Sequence, residues 1–151
     1  MPPWPWPWAH LHRPQRLLPH QFPPRPPAPV GGGSAINEST AANNSVGTAQ
    51  AIAALPATVS GTLSTTTDTD YYKVTVPGGK KMLATLSAGS GSGFGLGVYL
   101  NTGQQLILSS GVVGKQQQIL LTNTGATAVT LVVRVLRSAG TAGAYKLAMT
   151  I

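Results

Sequence analysis

Asp68-Thr69-Asp70-Tyr71-Tyr72-Lys73-Val74-Thr75-Val76-Pro77-Gly78-Gly79 is the stretch whose reading decides the fold. Tyr72, Val74 and Val76 fall on one side of an extended chain, and Tyr71, Lys73 and Thr75 on the other. Period-two alternation of this kind marks a half-buried β-strand. Pro77-Gly78-Gly79 then supplies a turn, because proline presets φ and glycine accepts the left-handed region.

The same pattern recurs along the chain. Val59-Ser60-Gly61-Thr62-Leu63 reads as a short strand before it. After it come the inward sets Met82, Ala84, Leu86 and Leu96, Val98, Leu100, the second closed by the turn Asn101-Thr102-Gly103. Leu106 and Leu108 continue beyond that turn. Ile119 and Leu121 mark another strand, ended by Asn123-Thr124-Gly125. Val129, Leu131, Val133 and Val135 alternate next, and Tyr145, Leu147, Met149 and Ile151 finish the chain. Val46–Leu55, rich in alanine, is either a short turn of helix or an irregular approach to a strand. About eight short strands with turns between them predict an all-β, antiparallel β-sandwich. Residues 35–151 are long enough to close such a two-layer core without staples.

Residues 1–30 obey different physics. Eleven of the thirteen prolines, all three tryptophans and all three histidines lie there. Pro3-Trp4-Pro5-Trp6-Pro7-Trp8 loses a backbone donor at every second residue, which predicts an extended or disordered arm of polyproline II character. Trp4, Trp6 and Trp8 are candidate docking residues, since three free indoles are a costly decoration. Residues 31–34, Gly-Gly-Gly-Ser, read as a flexible joint.

Charge narrows the function. The chain carries ten Lys/Arg against three Asp/Glu, a net +7, but from Ser34 onward the balance is seven to three. The seven are scattered, which predicts a solvated surface and no nucleic-acid partner. No cysteine is present, and no histidine follows residue 30. The domain therefore cannot build a thiol nucleophile, a Ser-His-Asp triad or a His-ligated metal, and it is read as no enzyme. No apolar stretch is long enough for a transmembrane segment. The first residues lack the uninterrupted apolar run of a secretory signal.

Acids are scarce enough to be informative. Asp68 and Asp70 flank one residue, and Glu38 opens a stretch that reaches Asn43 and Asn44. Hard oxygens in this arrangement suit Ca²⁺. The other reading is that both aspartates cap a turn by accepting backbone N–H bonds. Tyr71, facing away from the core set, and Phe94, in a Gly/Ser-rich stretch read as a flexible hairpin connection (Gly91–Gly97), belong either to a binding face or to ordinary packing.

Taken in order, Asn43-Asn44-Ser45-Val46-Gly47-Thr48-Ala49-Gln50-Ala51-Ile52, then Val59–Leu63, then Asp68–Val74 resemble the bacterial pre-peptidase C-terminal domain. Pro77–Lys80, Leu96–Leu106 and Gly143–Leu147 resemble its later pieces, so the likeness spans about residues 37–151. It implies a jelly-roll-like sandwich attached to secreted proteases, related to collagenase collagen-binding domains. Such domains assist secretion, folding or substrate attachment without catalysing anything. The implied location is extracellular or cell-surface, and the implied partner an extracellular polymer or a parent exported enzyme. A Ca²⁺ site held by Asp68, Asp70, Asn43, Asn44 and Glu38 is also implied. Ala41, Ala42 and Asn44 stand where the family often has an acid, a proline and an acid, and Glu38 lies three residues early. Two or three charges predict affinity no better than the ~10⁻⁴–10⁻³ M class. A different reading makes the chain a structural subunit of a filament, shell or virion, self-assembling as its Trp/Pro arm docks on a neighbouring copy.

Overall fold

Ten strands form in the computed structural model, which describes residues 33–151: β1 (Ser34–Asn37), β2 (Gln50–Ala51), β3 (Ala57–Leu63), β4 (Thr69–Val76), β5 (Lys81–Ala88), β6 (Ser92–Leu100), β7 (Gln105–Ser109), β8 (Gln117–Thr122), β9 (Val129–Gly140) and β10 (Gly143–Thr150). The arm at 1–30, with Trp4, Trp6 and Trp8, lies outside the described residues. No helix occurs among those described. The strands make two five-stranded sheets, ordered β1-β3-β10-β5-β8 and β2-β4-β9-β6-β7. The all-β sandwich expected from the alternation is what forms.

Strand direction needs correction. The expectation was an antiparallel sandwich of about eight strands, but β1 runs parallel to β3 and β2 parallel to β4. Both are short segments without an alternating pattern of their own. They gain strand geometry by lying along a finished edge. Val46–Leu55 takes the irregular approach, reaching β4 through Gln50 and Ala51.

Alternation fills the core. Val59 and Leu63 of β3, Tyr72, Val74 and Val76 of β4, Met82 and Leu86 of β5, and Leu131, Val133 and Val135 of β9 are all sealed from solvent. So are Leu147 and Met149 of β10. Truncating any one of these leucines would cost ~2–5 kcal/mol through lost transfer energy and the cavity left behind.

The Gly91–Gly97 stretch is also corrected. It is no flexible connection but most of β6, paired with both β7 and β9. Its glycines leave room for neighbours. A side chain on Gly95 would meet Ser138 Oγ at 2.7 Å, and one on Gly97 the Tyr99 ring at 3.0 Å. Phe94 is accordingly a core residue, 1% exposed, packed edge-on against Tyr145 at 6.2 Å. It offers nothing to a binding face.

Asn123 locks the far end of β4. Its Nδ2 donates to the carbonyls of Val76 (3.0 Å), Pro77 (3.1 Å) and Thr127 (2.8 Å), and its Oδ1 accepts the Gly125 N–H at 3.1 Å. The turn there passes through Gly79 at φ 70°, as the Pro-Gly-Gly signal requires.

Candidate functional site

Because β4 alternates, Asp70 shares the inner face with Tyr72 and is fully buried. Its Oδ2 accepts the Tyr145 hydroxyl at 2.6 Å, and that hydroxyl also meets the Tyr72 hydroxyl. Asp70 Oδ1 has no hydrogen-bond partner. Tyr145 comes from the opposite sheet, where β10 sets it directly across from Gly61 of β3. A Cβ on Gly61 would fall on the Tyr145 hydroxyl and lie 2.9 Å from Glu38 Oε2. Glycine at this point admits an inter-sheet polar bridge. Glu38, just past β1, is fixed by the Thr62 N–H, which donates to its Oε2 at 2.8 Å. Asn43 is buried beside them, its carbonyl accepting the Tyr71 N–H at 2.9 Å and its Nδ2 unpartnered.

Burial pushes the Asp70 carboxyl up to about 7; the Tyr145 hydroxyl opposes that shift, and the facing Glu38 carboxyl adds to it. Tyr72 and Tyr145 are also raised, chiefly by burial, so both phenols stay protonated and act as donors. Two carboxyl groups facing each other, one with an orphaned oxygen, call for a proton or a cation between them.

The expected calcium residues divide. Asp68 serves the turn: its Oδ2 accepts both the N–H and the hydroxyl of Ser64 at 2.7 Å, and its own N–H donates to Thr65 Oγ1. Asn44 is exposed. Among the described residues no three acidic, histidine or cysteine side chains gather at one point. Asp70 and Glu38, which face each other, offer the hard carboxylate oxygens that Ca²⁺ takes, and the orphaned Asp70 Oδ1 fits a cation. The free atom of the neighbouring Asn43 is its Nδ2 donor, so Asn43 would serve only through its side-chain oxygen. These three residues would hold it, as a weak site with two carboxylates.

On the outer face of the second sheet a row runs Tyr71, Arg134, Gly97, Leu108 across β4, β9, β6 and β7. The Arg134 guanidinium lies 5.5 Å from the Tyr71 ring centroid and donates to the Tyr99 hydroxyl at 3.2 Å. Tyr99 donates onward to Gln105 Oε1 at 3.0 Å, and its ring sits 6.2 Å from that of Tyr71. Gly97 lets the Tyr99 ring lie flat on the sheet. Arg134 Nε has no partner. A cation held over one aromatic face and bonded to a second phenol can grip a chain that offers ring faces and free carbonyls. Sequence reasoning found Tyr71 by parity but missed Arg134 and Tyr99, which only the register brings beside it.

Comparison with solved structures finds a domain of the same architecture. The pre-peptidase C-terminal domain of the collagenase from Bacillus anthracis matches with a TM-score of 0.52 over 68% of this chain and 94% of that domain, at 16% identity. The fold is that of a pre-peptidase C-terminal domain. The resemblance drawn from the ordered motifs therefore holds at the level of architecture. Aeromonas hydrophila PliG, a periplasmic inhibitor of g-type lysozyme, matches with a TM-score of 0.42 at 19% identity over 78% of this chain and 95% of its own. No family model and no curated protein matches the chain.

Proposed function

We propose that this domain is a non-catalytic binding module of the kind joined to exported enzymes. It attaches to an extended extracellular polypeptide through the outer face built on Tyr71 and Arg134, with Tyr99 buried beside them as the support that fixes the guanidinium. The observation that carries the reading is the guanidinium held over one tyrosine ring and bonded to the second, on a sheet face where Gly97 leaves room for the Tyr99 ring. Extended chains rich in proline and glycine present unpaired carbonyls to such a guanidinium and proline ring faces to Tyr71. The shared architecture with a collagenase domain supports a polymer of this class. The described residues include no histidine or cysteine, so acyl transfer of the usual kinds has no base or thiol to use there.

Calcium has a supporting place in this reading. A cation held by Glu38, Asn43 and Asp70 would tie the segment after β1 to the start of β4, making the module stiffer without joining in polymer contact.

Cosedimentation of the full chain with fibrillar collagen, and retention on gelatin, test the proposal. Binding should fall tenfold or more in Arg134→Ala and in Tyr71→Ala while melting stays close to wild type. No binding of either polymer by the folded wild-type chain would overturn it, as would binding that survives both substitutions.

A further inference from the structure

The face that carries Tyr71 and Arg134 holds a second cation. Lys73 follows Tyr71 on β4 with the same outward parity, and its row across the sheet runs Lys73, Val132, Tyr99. Val132 also points outward, between the inward Leu131 and Val133, yet it is sealed from solvent. Its row neighbours roof it, the Tyr99 ring from one side and Lys73 from the other. Lysine suits that place, because its stem covers apolar surface while the charged head stays in water. Lys73 and Arg134 are diagonal neighbours on adjacent strands. Such positions stand ~7–8 Å apart, within reach of one small group gripped by two long side chains.

No acid of this chain balances the pair. The sequence has three acidic side chains in all. Asp70 is turned inward, Asp68 is held by the Ser64 turn, and Glu38 lies past β1 with its Oε2 on the Thr62 N–H. A second copy would bring the same shortage, so the missing charge has to come from a different molecule. Among the described residues the Arg134 guanidinium is bonded only through Nη1, to the Tyr99 hydroxyl. A planar fork fixed in this way is preorganised for a carboxylate. The surroundings are neutral, with Thr75 and Thr130 in the next row and Leu108 beyond Gly97. A nucleic acid or a sulfated glycan needs cations repeated along its length. Two that stand alone specify a single anionic group.

We propose that this face selects polypeptide segments in which an aspartate or glutamate falls over the gap between Lys73 and Arg134, with Lys73 setting the preference. The inference rests on the polymer-binding reading above and gives it a sequence requirement. Arg134 and Tyr71 hold the backbone and a proline ring of the segment, and Lys73 reads the side chain that follows.

The test uses the full chain and three proline- and glycine-rich peptides, alike except for one central residue: Glu, Gln or Lys. Fluorescence anisotropy should rank them in that order, with the Glu peptide about fivefold tighter than the Gln peptide, the upper end for a partly exposed ion pair. In Lys73→Gln the Glu and Gln peptides should bind alike, with the Gln peptide keeping its wild-type affinity, and Lys73→Arg should retain the preference. Raising salt from ~0.1 M to ~1 M shortens the screening length from ~10 Å to ~3 Å and should remove most of the Glu advantage. Equal binding of the Glu and Gln peptides by the wild-type chain overturns the selectivity and leaves polymer attachment standing. No binding of any peptide overturns both. A preference unchanged in Lys73→Gln overturns the role of Lys73, and a sulfated oligosaccharide that outcompetes the Glu peptide overturns the choice of a polypeptide.

Discussion

Strand β4 has a buried polar centre at each end, and the two are built on opposite terms. At Val76 the neutral amide of Asn123 leaves no donor unused: its Nδ2 hydrogens are shared among three carbonyls, and Oδ1 takes one N–H. At Asp70 an ionisable group is sealed from water with one oxygen bonded to Tyr145 and the other left alone. The first arrangement welds two turns together and has nothing left to offer. The second keeps an open valence in a low-dielectric place, where each unmet need is expensive. A satisfied network specifies the fold, whereas an incomplete one marks where a proton or ion belongs.

Substitutions at the two ends should behave accordingly. Asn123→Ala strands three carbonyls and should have the largest effect, a loss of about 3 kcal/mol. Thermal unfolding should show the same loss at acid and neutral pH, because nothing there titrates. At the other end, pH itself is the lever. With the folded Asp70 carboxyl near 7 and its ordinary value at 3.8, the folded form binds the extra proton between those values. Stability from this group is therefore complete below about pH 4 and is lost as pH rises through 7, at up to about 1.4 kcal/mol per pH unit. Asp70→Asn keeps the shape without the charge, so its melting temperature should be flat across that window while wild type falls. A wild-type melting temperature that climbs from pH 5 to pH 8 would contradict the assignment.

Calcium gives the next smaller effect. At tenfold excess over the dissociation constant it should add about 1.4 kcal/mol. The gain should be larger at pH 8 than at pH 5, where a proton competes for Asp70, and absent in Asp70→Asn. Asp68→Ala should retain the response, because that carboxylate serves the Ser64 turn. The smallest change in stability is expected from Arg134→Ala, within about 1 kcal/mol, since its side chain is not part of the core.

Much of this architecture was legible in the sequence. Alternation placed Tyr72, Val74, Val76, Leu147 and Met149 correctly, because period-two burial is a local property of an extended chain. Asp70 had the same inward parity, and only its charge argued for the surface. The Tyr145 hydroxyl across the gap made burial tolerable, and no local rule could announce it. Gly93, Gly95 and Gly97 read as a loop because glycine weakens strands, yet here the gaps at Gly93 and Gly95 are filled by residues remote in sequence and that at Gly97 by the Tyr99 ring. Arg134 looked like one of several scattered bases until the register set it opposite Tyr71. Strand β1 left no signature, and β2 only the ambiguous run Val46–Leu55, both being shaped by the edges they lie on.

The parallel course of β1 has a topological outcome. Ser34 and Met149 both stand beside Ala57 in the first sheet. The polypeptide thus enters and leaves the sandwich at neighbouring points. A body with adjacent doorways can be spliced into a loop of another protein, or have its ends joined and be reopened at the Gly103 turn, without redrawing either sheet.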